Sequence, residues 1–94
     1  MSVNFEQVHN YYERLVLEEV MRRAHRFEDF TGDMLLDVAC VALNQLPARY
    51  VRHDVDLMFY LTEHERRAME LAMDDAMNHA FALVGERATK GVGA

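Results

Sequence analysis

Four residues close to the only proline have side chains suited to binding a phosphate group or a flat base. Asn44, Arg49, Tyr50 and Arg52 lie on either side of Pro47. An arginine offers a planar guanidinium that can hold a phosphate with two hydrogen bonds and can also stack on an aromatic ring. The alternative interpretation is structural. In that case Asn44 caps a helix, the Tyr50 ring is buried with its hydroxyl paired, and Arg49 contacts an acidic side chain.

Two further groups of polar residues could bind a metal ion, but neither has a recognised metal-binding spacing. His53, Asp54 and Asp56 are neighbours in the sequence, and Asp75 lies one helical turn before His79. Carboxylates and imidazoles can share a metal, although such pairs on an acidic surface are usually only hydrogen-bonded. Asp54 could equally cap the turn of helix that follows it. We therefore predict no metal and no cofactor.

The sequence contains none of the motifs of the common enzyme classes. A set of Ser, His and Asp, a glycine-rich phosphate loop and a Cys–His pair at motif spacing are all missing. The single cysteine, Cys40, falls on the apolar face of its predicted helix and is expected in the core. We predict a protein that binds a ligand or a partner and is not an enzyme.

Composition and charge narrow the classes of partner. The net charge of −6 does not favour duplex nucleic acid or an anionic membrane. The polar N-terminus lacks the pattern of a secretory leader, and the lone cysteine suits a reducing compartment, so we expect a cytoplasmic protein. A chain of 94 residues with 51% hydrophobic residues forms one domain with a small core. We expect the surplus apolar surface to be covered in a homodimer.

Apolar periodicity and capping patterns predict an all-α fold, a small domain of three to four helices. The first helix is expected to start at a capping box of Asn4 and Gln7 and to run for about six turns. The second is expected over roughly residues 33–46, with Thr31 among the residues that could cap it.

The segment after Pro47 is predicted to be irregular, with a short helical piece before residue 61. A capping box of Thr62 and Glu65 then opens a long last helix, which is expected to end at Gly85. The helical domain is assigned to residues 1–87. Residues 88–94 have no periodic face and are predicted to form a flexible C-terminal tail.

The last helix carries two stripes of side chains at helical spacing, Met69, Met73 and Met77 in one and Ala72, Ala76 and Ala80 in the other. The methionines could form an adaptable surface for a partner peptide, or they could simply belong to the core and a dimer interface. The alanines allow another helix to approach closely, and the second subunit could supply that helix.

The sequence around the proline resembles the signature of a known family. Residues 37–51, DVACVALNQLPARYV, are similar to the motif of the late competence development ComFB family, in which a helix ending in Ala-Leu-Asn-x-Leu-Pro is followed by Pro-Arg-Tyr-Val. Residues 12–16, YERLV, resemble the family's first helix. The resemblance extends over approximately residues 8 to 84.

The resemblance implies a small all-α dimer that is not a catalyst, and some relatives are receptors for cyclic dinucleotides such as c-di-GMP or c-di-AMP. The chain departs from the family pattern at Ala48, where a second proline is usual. It also lacks the cysteine cluster that some members place between the first two helices, so no structural zinc is predicted.

A cyclic dinucleotide presents two phosphates and two purine faces. Arg49, Arg52, Tyr50 and Asn44 supply the side chains that such a ligand requires, and a two-fold dimer presents each of them twice. The rival hypothesis is an adaptor that binds an unknown protein through the Met-rich last helix, without a small ligand, in competence or another surface or motility process.

Overall fold

The computed structural model describes residues 1–92, in which four helices and one pair of very short strands account for the fold. A 3-10 turn at Phe5–Gln7 is followed by β1 (His9–Asn10), α1 (Tyr12–Ala24), α2 (Gly32–Gln45), β2 (Tyr50–Val51), α3 (Asp54–Tyr60) and α4 (Glu63–Val92). Helix makes up 72% of the structure. The predicted all-α class with three to four helices is confirmed, and the irregular segment after Pro47 does contain a short helix.

Two of the predicted helix starts are fixed by threonine hydroxyls. The Thr31 hydroxyl accepts a hydrogen bond from the Met34 amide at 3.2 Å, which caps α2. The Thr62 hydroxyl accepts one from the Glu65 amide at 3.0 Å at the start of α4. In both cases a side chain satisfies an amide that has no partner within the helix.

The core lies where α1, α2 and α4 meet, and the most extensive helix contact joins α2 to α4. Its fully buried side chains are Val16 from α1, Val38 and Ala42 from α2, and Ala76, Met77 and Ala80 from α4. Small side chains at spacing four let two helices approach closely. The Ala76 and Ala80 side chains are therefore already covered within one chain, without a second subunit.

The predicted start of the first helix was wrong. The Asn4 side chain accepts from the Glu6 amide at 3.0 Å and caps only the 3-10 turn. The next residues form β1, and α1 begins at Tyr12. The Asn10 side-chain oxygen accepts from the amides of Tyr12, at 3.3 Å, and Arg49, at 3.0 Å. The first of these bonds is local, whereas the second comes from a residue 39 positions away, and together they hold the chain extended where local periodicity favoured a helix.

The predicted helix end at Gly85 was also wrong, because α4 continues to Val92. The Phe30 ring packs directly against this glycine, and a β-carbon at Gly85 would lie 3.2 Å from the Phe30 Cζ atom. The glycine permits a close approach and does not cap the helix. Residues 88–92 are thus helical. The flexibility of the tail stays a prediction, and residues 93–94 lie outside the described residues.

Cys40 is exposed, contrary to the predicted core position. The buried stripe of α2 follows Val38 and Ala42. Each residue of an α-helix is rotated by about 100° from the last, so Cys40 points roughly 200° away from Val38.

No helix within residues 1–92 is both long enough and apolar enough to cross a membrane.

Candidate functional site

The segment after α2, residues 46–53, connects α2 to α3 and is attached to the start of the chain by the strand pair. β1 and β2 are antiparallel, with His9 opposite Val51 and Asn10 opposite Tyr50. The Tyr11 amide donates to the Arg49 carbonyl at 2.6 Å, and the Arg49 amide donates to the Asn10 side chain at 3.0 Å. The amide and the carbonyl of Arg49 are therefore both hydrogen-bonded to neighbouring residues near the start of the chain, Asn10 and Tyr11.

The side chains of this segment are open to solvent. Arg49 and Arg52 are exposed, and Tyr50 keeps 68% of its surface accessible. Within residues 1–92, neither arginine forms an ion pair. The structural alternative, with a buried Tyr50 and Arg49 bound to an acid, is not what the chain adopts.

Asn44 is engaged with its own helix. Its side-chain nitrogen donates to the Cys40 carbonyl, one turn earlier, at 2.9 Å. The Cys40 carbonyl lies inside α2, before the last four carbonyls that lack a helical partner, so this bond does not cap the end of the helix. Asn44 as a whole is exposed.

Two of the four predicted residues, Arg49 and Arg52, line different hollows of a single chain. Arg49 lines a hollow of about 390 Å³ together with Tyr12, Glu65 and Met69. Arg52 lines a different one of about 640 Å³, whose other walls come from residues 2–8. Within one subunit the two arginines therefore lie in different hollows, and the role of the four residues in a ligand site stays a prediction.

A hydrogen-bonded cluster beside this segment was not predicted from the sequence. The His9 Nε2 atom lies 2.6 Å from the Asp54 Oδ1 atom, and an Arg14 guanidinium nitrogen lies 3.4 Å from the other Asp54 oxygen. The hydrogen bond to Asp54, followed by one to the Gln7 carbonyl, raises the pKa of His9 above its ordinary value. His9 and Asp54 are 45 residues apart, so local spacing gives no signal of the contact.

This cluster corrects the two earlier interpretations of Asp54. The residue at the cap of α3 is His53, and no side chain caps the helix there. The Asp54 carboxylate faces His9 and Arg14 instead of backbone amides. Within residues 1–92, no three His, Cys, Asp or Glu residues are arranged to hold a metal ion, so the sequence neighbours His53 and Asp56 do not complete a site.

The methionine stripe of α4 is divided between the core and a groove. Met77 is fully buried, whereas Met69 and Met73 are partly buried in a groove of about 560 Å³ between α1 and α4. Near one end of the groove the Tyr11 hydroxyl lies 3.3 Å from the Met58 sulfur. The core interpretation is right for Met77, and the other two methionines are the part of the stripe that a ligand could reach.

Comparison with known proteins identifies the family. The model of the family "Late competence development protein ComFB" matches residues 9–88, which is most of the chain. No match was found among the curated proteins or among the solved structures. The matched range begins at β1 and includes the strand pair, α1, α2, the exposed segment after Pro47, α3 and most of α4. The chain therefore belongs to the late competence development protein ComFB family, and this membership points to a competence-related regulatory protein.

Proposed function

We propose that the protein is a non-enzymatic, cytoplasmic receptor for a cyclic dinucleotide, c-di-GMP or c-di-AMP, and that it acts as a homodimer. The observation that carries the proposal is the exposed segment after α2. On a chain with a net charge of −6, Arg49 and Arg52 are exposed without an ion pair in residues 1–92, and Tyr50 stands between them. The ComFB family is not a known enzyme family, which agrees with a binding role.

The attachment of the segment favours ligand binding. The Arg49 backbone is held by Asn10 and Tyr11 before any ligand arrives. A ligand therefore does not have to order the backbone of this residue, and less binding energy is lost to conformational entropy. Because neither guanidinium has to leave a carboxylate, each can form charge-assisted hydrogen bonds with a phosphate. The exposed Tyr50 ring offers a face on which a purine can stack.

A second subunit would compensate for the separation of Arg49 and Arg52. These residues line different hollows in one chain. A two-fold axis beside the segment would bring two copies of each residue around one ligand that is itself two-fold symmetric. The adjoining helix α3 leaves Val55 at 64%, Phe59 at 82% and Tyr60 at 82% exposure. Exposed apolar side chains of this kind, gathered on one short helix, favour an interface.

Sedimentation velocity at micromolar concentration tests the dimer. We expect the wild-type chain to sediment as a dimer, because the hydrophobic effect favours removing the aromatic side chains of α3 from water. Phe59→Ser should shift the protein towards the 10.9 kDa monomer. Leu36→Ser, at a side chain that is 65% exposed on α2, is the matched control and should remain dimeric. A wild-type chain that is monomeric at every concentration would refute the homodimer.

Titration calorimetry with c-di-GMP and c-di-AMP tests the ligand. Arg49→Ala and Arg52→Ala should each weaken binding about tenfold, which is the loss expected for one charge-assisted contact of about 1.4 kcal/mol. Arg26→Ala is the control, because Arg26 is also exposed and has no ion pair within residues 1–92 but lies in the connection between α1 and α2. No heat from either nucleotide at tens of micromolar protein, or equal binding by all three variants, would remove the proposal.

One observation favours a second function, that of an adaptor that binds a protein partner in competence or in another surface or motility process. The groove between α1 and α4 exposes three methionine side chains, Met58, Met69 and Met73. Methionine-lined grooves can adapt to the apolar face of a partner helix. A pull-down that is lost on Met73→Ser and unaffected by cyclic dinucleotides would favour the adaptor over the receptor.

A further inference from the structure

Both ring nitrogens of His9 face hydrogen-bond acceptors. Nδ1 lies 2.9 Å from the Gln7 carbonyl oxygen, and Nε2 lies 2.6 Å from the Asp54 carboxylate. A neutral imidazole carries one N–H and one acceptor nitrogen, so it can donate only one of these bonds. The doubly protonated imidazolium can donate both. The geometry therefore fits the charged form of His9.

The surrounding charges favour the same form. From α3 the facing group is Asp54, and from α1 Glu13 adds a favourable electrostatic interaction. Arg14, also from α1, contacts the second Asp54 oxygen at 3.4 Å. The residue opposite His9 on β2 is Val51, which has no titratable side chain. The His9 side chain is 34% exposed, so its proton can exchange with solvent.

The contact between His9 and Asp54 is a second point at which the segment after α2 is attached to the start of the chain. Arg49 is held by Asn10 and Tyr11 at the start of the segment, and Asp54 is held by His9 just after its end. The residues between these attachments include Arg52. Two-residue strands are too short to be stable by themselves, so loss of the second attachment should let the strand pair open more often.

We propose that His9 is a positioning residue that, when doubly protonated, fastens β1 to the start of α3 and holds Arg52 in place for a ligand. The proposal rests on the receptor function for its ligand, but the attachment itself can be tested without one. Because the pKa of His9 is raised in the folded chain, the stabilisation is complete below about pH 6.5 and is lost as the pH rises through the higher folded value. Ligand binding should weaken in the same direction.

Hydrogen exchange of the ligand-free protein tests the attachment. The amides of Tyr11 and Arg49 are bonded across the strand pair, and their protection factors report its opening. Between about pH 6 and about pH 8.5 we expect wild-type protection to fall by about threefold or more. His9→Gln and Asp54→Asn should have low protection that no longer depends on pH, since each removes one partner of the contact.

His79→Gln is the matched control, because His79 is an exposed histidine on α4. It should keep the wild-type pH profile. Wild-type protection that does not change with pH, or a His9→Gln variant that keeps the wild-type profile, would overturn the proposal. Far-UV circular dichroism of each variant verifies that the helices are retained, so that a loss of protection reports the strand pair alone.

Calorimetry with c-di-GMP and c-di-AMP at the same two pH values tests the consequence for binding. The dissociation constant of the wild type should rise by about threefold at the higher pH, in proportion to the population of the fastened segment. That of His9→Gln should be weak at both. If protection follows the expected profile but neither nucleotide binds at either pH, the attachment by His9 is upheld and the receptor function is wrong.

Discussion

Replacement of Met77 by Ala is expected to lower the free energy of unfolding by about 2–5 kcal/mol. Met77 is the largest side chain that is fully buried, and it belongs to the same cluster as Val16, Val38 and Ala80. Truncation removes buried methylene groups and the sulfur, and it leaves a cavity that helices held by their own backbone bonds cannot close. Small domains have about 5–15 kcal/mol of stability in total, so the loss is a large fraction. Urea denaturation followed by circular dichroism measures it.

Met21→Ala is the matched control, since it makes the same chemical change at a side chain that is 66% exposed on α1. Exposed substitutions of this kind usually change stability by less than about 0.5 kcal/mol. Equal losses for the two variants would contradict the position of Met77 in the core. A loss at Met77 alone would agree with its full burial in the core.

The helices could be predicted from the sequence because their signals are local. A hydroxyl three residues before the amide that it caps is visible in the sequence, as Thr31 and Thr62 illustrate. The apolar spacing of α2 and α4 likewise reflects one face packed against one core. Both signals follow from the geometry of a single helix.

The strand pair could not be predicted because its cause is not local. Asn10 interrupts the helical pattern by accepting hydrogen bonds from Tyr12, its near neighbour, and from Arg49, which is 39 residues away. Two residues per strand are too few to show an alternating pattern. The contact of His9 with Asp54 has the same origin, and it was hidden by the more obvious adjacency of Asp54 and His53.

The sequence also could not decide the structural role of single residues whose type fits two different positions in a fold. Gly85 has the type expected at a helix end, yet it accommodates the Phe30 ring inside a continuing helix. Cys40 has an apolar side chain, yet it lies on the exposed side of α2. The choice between the roles depends on which element packs there, and that is a property of the tertiary structure.

The candidate site was predicted from residue types alone, and the exposure of its side chains depends on the tertiary structure. Arginine and tyrosine near a helix end are compatible with a ligand site and with an ordinary packed loop. In the structure Tyr50 is exposed and the Arg49 backbone is held in place, so Tyr50 is not packed as it would be in such a loop, and the ligand role of these residues stays a prediction.

The groove between α1 and α4 is crossed at one end by an ionic bridge in which the Arg23 side chain is largely buried, whereas the side chain of its α4 partner Asp74 is 58% exposed. The Arg23 side chain is only 13% exposed; it donates to Glu19 at 2.7 Å on its own helix and reaches across to Asp74 at 2.8 Å. A further bond joins it to the Asn78 side chain at 3.2 Å. Glu19 is itself only 15% exposed, and hydrogen bonds from Arg22 and Arg23, the first of these being the stronger influence, lower its pKa against the effect of burial.

Arg23→Ala should therefore lower the free energy of unfolding by about 2–3 kcal/mol, because it leaves the Glu19 carboxylate partly buried with one partner fewer and removes the link from α1 to α4. Arg22→Ala is the control. Arg22 also contacts Glu19, but its side chain is 73% exposed, so its loss should cost less than about 1 kcal/mol. Urea denaturation at neutral pH compares the two. Equal costs would mean that the bridge is solvated in solution and that the groove is not closed at this end, which would also weaken the case for a defined partner surface there.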